Sequence, residues 1–294
     1  MIRLPTVLRW MARRLLRFIL HYSPVFMRNA AVRMPFSRFH WILPCMFWGQ
    51  EQITWRNVEV IVNPGAVLGY YPYFLGDYSG DEIDLLVKLG SDAHVFADVG
   101  ANSGLITLAV AQACPNLHIY AFEPDPIIVA RFNANLQLNK SLLSRITLIQ
   151  KAVADIDGTL NFHSEADKSN PETGRLVDST TSSSHMVQST RLDTFFAALV
   201  DKPDMVKIDV EGAELSVLRG MNGLFTDDIP SHILVEVHAF YLQNEDRSHF
   251  NQQIESELLK AGYKLYNMDG SIAPSSNQWP SRIHINGTLE TATT

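Results

Sequence analysis

The chain has 294 residues, 46% of them hydrophobic and 19% charged, with a formal net charge of -7. That supports one large domain or two ordinary ones and excludes a disordered, collagen-like or disulfide-stapled chain. The acidic balance argues against a nucleic-acid binder. The total hides a split. Up to Gln50 there are eight basic residues (Arg3, Arg9, Arg13, Arg14, Arg17, Arg28, Arg33, Arg38) and no acid, so the remainder carries 16 basic against 31 acidic residues, or -15.

Cys45 and Cys114 are the two cysteines, each in an apolar run, and read as reduced, buried thiols in a reducing compartment. No Cys/His cluster has zinc-ligand spacing, and no metal ligand is assigned, although the acids around Asp209 could hold a divalent ion that nothing in their spacing requires. No uncharged apolar run reaches the length of about 18 residues that a spanning helix needs. Arg13, Arg14 and Arg17 interrupt any signal-peptide core, so the chain reads as cytoplasmic. Asn286-Gly287-Thr288 is then a chance sequon.

In the leader, Leu4, Val7, Leu8, Met11, Leu15, Phe18, Ile19 and Tyr22 keep helical spacing, with Arg9, Arg13 and Arg17 on another face. Ser23-Pro24 ends that helix. Residues 4–22 fit a helix in a membrane interface, arginines toward anionic head groups, or equally a cap helix packed on the body. Phe36 to Trp48 is rich in aromatic residues and fits either reading. The expected division is a basic extension, 1–50, and a main domain, 51–294.

The body opens with a hairpin, Gln52 to Trp55 and Val58 to Val62, turning at Arg56-Asn57. Gly65 to Gly80 reads as loop and Asp81 to Leu89 as helix. Strands and helices then alternate. Strands are expected at His94–Val99, Leu117–Phe122, Ile146–Gln150, Met205–Ile208 and His232–Val237. Helices are expected at Leu105–Ala113, Pro126–Leu138, Leu192–Val200, Ala213–Gly220 and His249–Ala261. Tyr263–Met268 and Arg282–Ile285 are closing strands. The stretch from Ser164 to Ser189 is polar and Ser/Thr-rich, either an acceptor lid using Ser183, Ser184 and His185 or a plain surface loop. The alternation predicts an α/β fold with a mostly parallel sheet covered on both faces. Ligands in such folds bind beyond the carboxyl ends of the strands.

Four strand ends carry the chemistry. Asp98-Val99-Gly100-Ala101-Asn102-Ser103-Gly104 is a glycine turn entering a helix, which lets a ligand approach the backbone or is simply a tight turn. In Glu123-Pro124-Asp125, Glu123 is placed to accept ribose hydroxyls, and Asp125 looks like an N-cap before Pro126. Lys207-Ile208-Asp209-Val210-Glu211-Gly212-Ala213-Glu214 crowds acids at a helix start, where they suit the dipole, cofactor positioning or proton abstraction. Glu236-Val237-His238 ends in a histidine that can titrate near neutrality and serve as a base, though a lone histidine is more often structural.

With those blocks in place, the chain resembles the FkbM-type family of S-adenosylmethionine-dependent methyltransferases. The resemblance rests on Phe96 to Gly104, Ala121 to Asp125, Asn135-Leu136-Gln137-Leu138-Asn139, Thr190-Arg191-Leu192-Asp193, Val206 to Glu214 with Leu218-Arg219-Gly220, and Val235 to His238. They cover about 81–238, in family order. The resemblance implies a Rossmann-like class I methyltransferase fold with a seven-stranded, mostly parallel sheet. It implies S-adenosyl-L-methionine as cofactor, with Asp98, Gly100, Asn102 and Gly104 around its methionine portion, Glu123 on its ribose and Asp155 on the adenine amino group. Asp209, Glu211 and His238 would face the methyl group and a hydroxyl-bearing acceptor: a glycan, a glycolipid or a natural product. His238 is the preferred base and Asp209 the second. Two rivals remain open here, a nicotinamide oxidoreductase and a non-catalytic relative acting as a binding or scaffold protein. The missing middle glycine of G-x-G-x-x-G counts against the first.

Overall fold

The computed structural model describes residues 14–15, 49–164, 174–177, 184–242 and 244–289. The expected leader helix, apart from the helical Arg14 and Leu15, and Cys45 lie outside them, as does Ser183. Among the described residues, no helix is long and apolar enough to cross a membrane. The chain forms two compact units, residues 1–80 with 165–172, and residues 81–164 with 173–294. The division expected near Glu51 falls inside the first.

In the first unit, β1 (Glu51–Trp55) and β2 (Val58–Val62) pair antiparallel, Trp55 against Val58. Strand alternation buries Ile53, Trp55, Val58, Val60 and Val62. Arg56 and Asn57 have φ of 47° and 63°, the positive values a two-residue type I′ turn requires. The expected loop after it instead holds a helical turn, Val67–Tyr70, continued by a π-helical turn, Tyr71–Leu75. Tyr70, Tyr73 and Phe74, spaced three and four apart, are its buried side. The Gly, Tyr and Pro content masks that spacing in the sequence.

The second unit runs α1 (Gly80–Gly90), β3 (Val95–Val99), α2 (Leu105–Ala113), β4 (His118–Phe122), α3 (Pro126–Leu138), β5 (Ile146–Ile149), β6 (Ala152–Val153), β7 (Gly158–Ser164), β8 (Gly174–Leu176), β9 (Ser184–Thr190), α4 (Leu192–Ala197), β10 (Met205–Ile208), α5 (Glu214–Arg219), β11 (His232–His238), α6 (Asn244–Lys260), β12 (Tyr263–Tyr266) and β13 (Arg282–Leu289). Seven strands form one sheet in the order β12-β13-β11-β10-β3-β4-β5. Only β13 runs antiparallel to its neighbours in that sheet. The chain moves outward from β3 through β4 to β5 and then returns to place β10 on the other side of β3. The strand order therefore reverses between β3 and β10, and a crevice opens there.

Successive strand residues point to opposite faces. Ala97, Val99, Val206, Ile208, Val235 and Val237 face one way and pack with Leu192, Phe196, Val217, Leu218, Ile254 and Leu258 from α4, α5 and α6. The alternate residues Asp98, Lys207, Glu236 and His238 therefore share the other face at the carboxyl end.

Within the described part of the expected lid or loop, Gly174–Leu176 and Ser184–Ser189 lie in strands of a second sheet, ordered β6-β9-β7-β8. β7 and β9 pair antiparallel from Gly158 with Ser189 to His163 with Ser184, so Ser184 and His185 are strand residues. A short core of Ala152, Phe162 and Val187 holds it. Polar residues at buried positions, Ser189 and Thr190, and the exposed Met186 give β9 the composition of a loop.

Candidate active site

The glycine turn after β3 is shaped by two close approaches. A Cβ on Gly100, whose φ is +83°, would lie 1.8 Å from the carbonyl oxygen of Asp209. The turns after β3 and β10 therefore touch through backbone, and only glycine fits. At Gly104, also at +83°, a Cβ would lie 2.4 Å from the Phe132 ring. That glycine answers to the packing of α2 against α3. Asn135 Nδ2 donates to the Ser103 carbonyl at 2.9 Å and ties the turn to α3.

Glu123 bridges the turns after β3 and β4. Its two carboxylate oxygens accept from the backbone N–H of Asn102 at 3.1 Å and of Asp125 at 2.9 Å. Burial pushes its carboxyl up to about 7, reinforced by the charges of Asp125 and Asp209 and opposed by those two N–H donors. Asp125 is an N-cap as expected, accepting from the N–H groups of Ile127 and Ile128.

Asp155 joins a different network. Its Oδ1 accepts from the Ser216 hydroxyl at 2.8 Å, and its carbonyl accepts from Arg191 Nη1 at 2.9 Å. Arg191 also pairs with Asp193, which accepts from the Gly223 N–H. The Asp193 N–H donates to the Gly220 carbonyl. The Thr190–Asp193 and Leu218–Gly220 strings are thus bonded to each other and brace α4 against α5.

At the switch point Lys207 stands opposite Asp98 in register. Its Nζ lies 3.6 Å from Asp98 Oδ1 and 3.3 Å from Asp209 Oδ2. Asp98 also accepts from the Thr107 hydroxyl at 2.6 Å. Burial would lower the Lys207 ammonium, but Asp209, Asp98, Glu82 and Glu236 hold it far above its usual range.

His238 sits inside a ring of acids. Its Nδ1 lies 2.9 Å from Glu214 Oε1. A carboxylate only accepts, so Nδ1–H donates. Nε2 lies 3.4 Å from Glu236 Oε1, 3.8 Å from Glu211 Oε2 and 3.9 Å from Asp209 Oδ1. Burial by itself would lower the imidazole, but the four carboxylates hold it protonated up to about 10. A protonated imidazole has no lone pair. The role of base expected of His238 thus opens only once that proton is displaced. Glu236 is held by Arg282 and by His284 Nε2 at 3.2 Å, and these partners with His238 outweigh burial and keep it well below the usual carboxylate range.

The structure thus gathers Asp98, Gly100, Asn102, Gly104 and Glu123 around the β3 and β4 ends, and Asp209, Glu211 and His238 around the β10 and β11 ends. Asp155 bonds within the α4–α5 brace. Sequence reasoning assigned no role to Lys207, Glu82, Arg282 or His284, and placed Glu236 only among the strand-end acids near a cationic cofactor. The signal was the two-residue strand period, which puts Lys207, Glu236 and the facing His284 on the face of Asp98 and His238. Beside the cluster, Phe240 is 42% exposed, its ring 5.6 Å from that of His238 and 4.2 Å from that of Tyr241. Tyr241 donates its hydroxyl to Glu211 Oε2 at 2.8 Å and carries the Arg175 guanidinium 4.7 Å above its ring.

Strand order, glycine turn and acidic strand ends define a Rossmann-like domain of the class I methyltransferase type. The Methyltransferase FkbM domain profile matches residues 98–265, and the chain belongs to that family. It is 28% identical over 167 residues to the hexuronic acid methyltransferase AglP of Haloferax volcanii, which covers 54% of this chain and 62% of that protein. It is 28% identical over 141 residues to the 2-O-methyltransferase NoeI of Sinorhizobium fredii, covering 43% and 56%. The match thus spans about three-fifths of the length of these curated relatives. A crystal structure of an FkbM methyltransferase from Methylobacillus flagellatus is 16% identical with a TM-score of 0.43, covering 67% of this chain and 44% of that one.

Proposed function

We propose that this chain transfers a methyl group from S-adenosyl-L-methionine to a hydroxyl of a sugar, glycolipid or natural product. The observation that carries the reading is the meeting, at one switch point, of the glycine turn, the buried Glu123 carboxylate and the Asp209–Glu211–His238 cluster. Each Glu123 oxygen uses one lone pair on a backbone N–H and keeps another for a ribose hydroxyl. Asp98 Oδ1 faces the Lys207 ammonium at 3.6 Å, so Asp98 holds the end of β3 beside the turn of Gly100, Asn102 and Gly104. Asp155 is the residue for the adenine amino group. The cofactor, when bound, supplies a methyl group already activated on a cationic sulfur.

The chain's task is then alignment and proton removal. Holding the acceptor oxygen in line contributes several kcal/mol by proximity. Asp209 takes the acceptor's proton while His238 is an imidazolium. The exposed Phe240 and Tyr241 rings offer an apolar face for a sugar ring. Arg175 suits an anionic one, in keeping with the hexuronic acid in the name of the Haloferax relative. Labelled-methyl transfer to extracted polysaccharides and lipids tests the activity. His238→Ala should keep cofactor binding and lose turnover, and Glu123→Ala should weaken the cofactor; intact turnover or unaltered affinity would remove the respective assignment.

Peripheral membrane contact through residues 4–22 is a further part of this reading, supported by the arginine periodicity of the leader. Flotation with anionic vesicles should retain the full chain and release one starting near Glu51. Equal behaviour of the two would discard it.

A further inference from the structure

His238 is 1% exposed, and its Nε2 is buried without a hydrogen-bond partner. That atom points at two carboxylates that do not bond to it. Glu211 Oε2 is 3.8 Å away and Asp209 Oδ1 3.9 Å, and the three donor atoms lie within 4.8 Å of one another. Glu236 Oε1 is nearer, at 3.4 Å, but Arg282 and His284 already hold that carboxylate. On the far side of the ring, Nδ1–H is pinned to the fully buried Glu214.

We propose that Asp209 Oδ1, Glu211 Oε2 and His238 Nε2 bind a divalent cation, which in turn holds the acceptor's hydroxyl oxygen. The inference rests on the methyltransferase reading of the site and deepens its acceptor side. Three features carry it. A carboxylate bonded to Nδ1–H fixes the tautomer that presents an Nε2 lone pair to a metal and raises its basicity. Of the four carboxylates around the imidazole, Lys207 offsets Asp209 and Arg282 offsets Glu236, which leaves Glu211 and Glu214 to a single proton. Two carboxylates with one imidazole form a mixed oxygen–nitrogen donor set without sulfur, which Mn²⁺ fills more readily than the oxygen-seeking Mg²⁺ and which does not suit a thiophilic ion.

The geometry is open by a modest amount. Donors at about 2.1 Å from an octahedral ion sit about 3 Å apart when adjacent, so the two carboxylates need to close by roughly 1 Å. Both side chains are about one-quarter exposed and lie on the turn after β10, where Glu211 has φ of 54° and Gly212 of 101°. Tyr241 donates to one lone pair of Glu211 Oε2, and the oxygen keeps a second. Lys207 holds Asp209 by the other oxygen, Oδ2, which leaves Oδ1 for the ion. With the cation bound, the His238 proton is displaced and the bound hydroxyl is acidified, its proton leaving to water, so that Asp209 serves as a ligand in place of the base.

The test is Mn²⁺ titration of the metal-stripped full chain, with free Mn²⁺ read by electron paramagnetic resonance, Mg²⁺ as competitor and S-adenosylhomocysteine binding measured in parallel. One Mn²⁺ per chain is expected, competed by Mg²⁺ and weakened tenfold or more in Asp209→Asn and Glu211→Gln, with Glu211→Gln keeping native melting and native S-adenosylhomocysteine affinity. A wild-type chain that binds S-adenosylhomocysteine but no Mn²⁺ overturns the cation site and leaves the methyltransferase reading intact. Unweakened binding in both variants also overturns it. Mn²⁺ binding that obeys the expected pattern in a chain without affinity for S-adenosylhomocysteine supports the cation site and overturns the cofactor reading instead.

Discussion

Lys207 and Asp98 face each other across the β3–β10 boundary, 2% and 0% exposed, with the ammonium 3.6 Å from the carboxylate. A charge sealed this way is tolerable because it is paired. The same lysine also faces Asp209 and carries the field of Glu82 and Glu236. It is the cation around which the acidic strand ends assemble.

Lys207→Met should therefore cost about 3–5 kcal/mol of unfolding free energy, since it strands Asp98 in the interior. Lys207→Met with Asp98→Asn should recover part of that loss. Urea unfolding of the three variants checks it. A double variant no better than the single one would show that the pair is not what holds this part of the sheet.

Glu123 gives the pH prediction. Its carboxyl is raised from 4.5 to about 7 by burial and by Asp125 and Asp209. A raised acid binds its proton more tightly folded than unfolded, so its contribution is present at low pH and is lost as pH rises from 4.5 through 7. At 1.36 kcal/mol per pKa unit the loss approaches about 3 kcal/mol. The unfolding free energy of Glu123→Gln relative to the parent should grow by about that much between about pH 4 and pH 8. Cofactor affinity should move the other way, because ribose hydroxyls donate to the ionised form. Titration with S-adenosylhomocysteine should give an affinity rising through pH 7 in the parent and flat in Glu123→Gln. A parent affinity that falls with pH would remove Glu123 from the ribose.

The two glycines of the turn separate cleanly. Alanine at Gly100 meets a backbone carbonyl at 1.8 Å, and no neighbouring side chain can move to relieve it. Alanine at Gly104 meets the Phe132 ring at 2.4 Å, and a smaller side chain there can. Both also pay the cost of a positive φ, more than about 1 kcal/mol. Gly104→Ala should regain melting temperature when combined with Phe132→Leu, and Gly100→Ala should not. Gly100→Ala should also lose S-adenosylhomocysteine binding tenfold or more, by parting the turns after β3 and β10. Equal rescue of both would contradict the geometry.

Much of this was legible in the chain. Strands such as Met205–Ile208 and full helices such as Pro126–Leu138 are where the sequence places them, because period and end signals agree. The Ser/Thr-rich segment reads as lid or loop because the outward Met186 and the buried Ser189 invert the apolar–polar alternation around Val187. The strand-end acids were legible as a group, through their position alone. Their pairing was not. That Arg282 would hold Glu236 depends on the register of β11 with the antiparallel β13, and that Glu214 would face Nδ1 of His238 depends on the pairing of β10 with β11; no local pattern encodes either. The protonation of His238 follows from that pairing, and so was out of reach as well.

The exposed rings beside His238 give the last prediction. Phe240 lies at the mouth of the cluster with its ring half-exposed, and Arg175 covers Tyr241 from the β8 side. A ring face that stacks an acceptor sugar acts equally in ground and transition states, so its loss raises KM and leaves kcat nearly unchanged. Removing about 1 kcal/mol of stacking corresponds to roughly fivefold in KM. Phe240→Ala should show that split with any sugar acceptor that turns over. Arg175→Ala should show it with anionic acceptors and much less with neutral ones, since the lost contact is a guanidinium. Neither change touches the buried core, so melting temperatures should hold. A fall in kcat with KM constant in Phe240→Ala would place the acceptor elsewhere. Equal effects of Arg175→Ala on charged and neutral acceptors would exclude the anionic sugar.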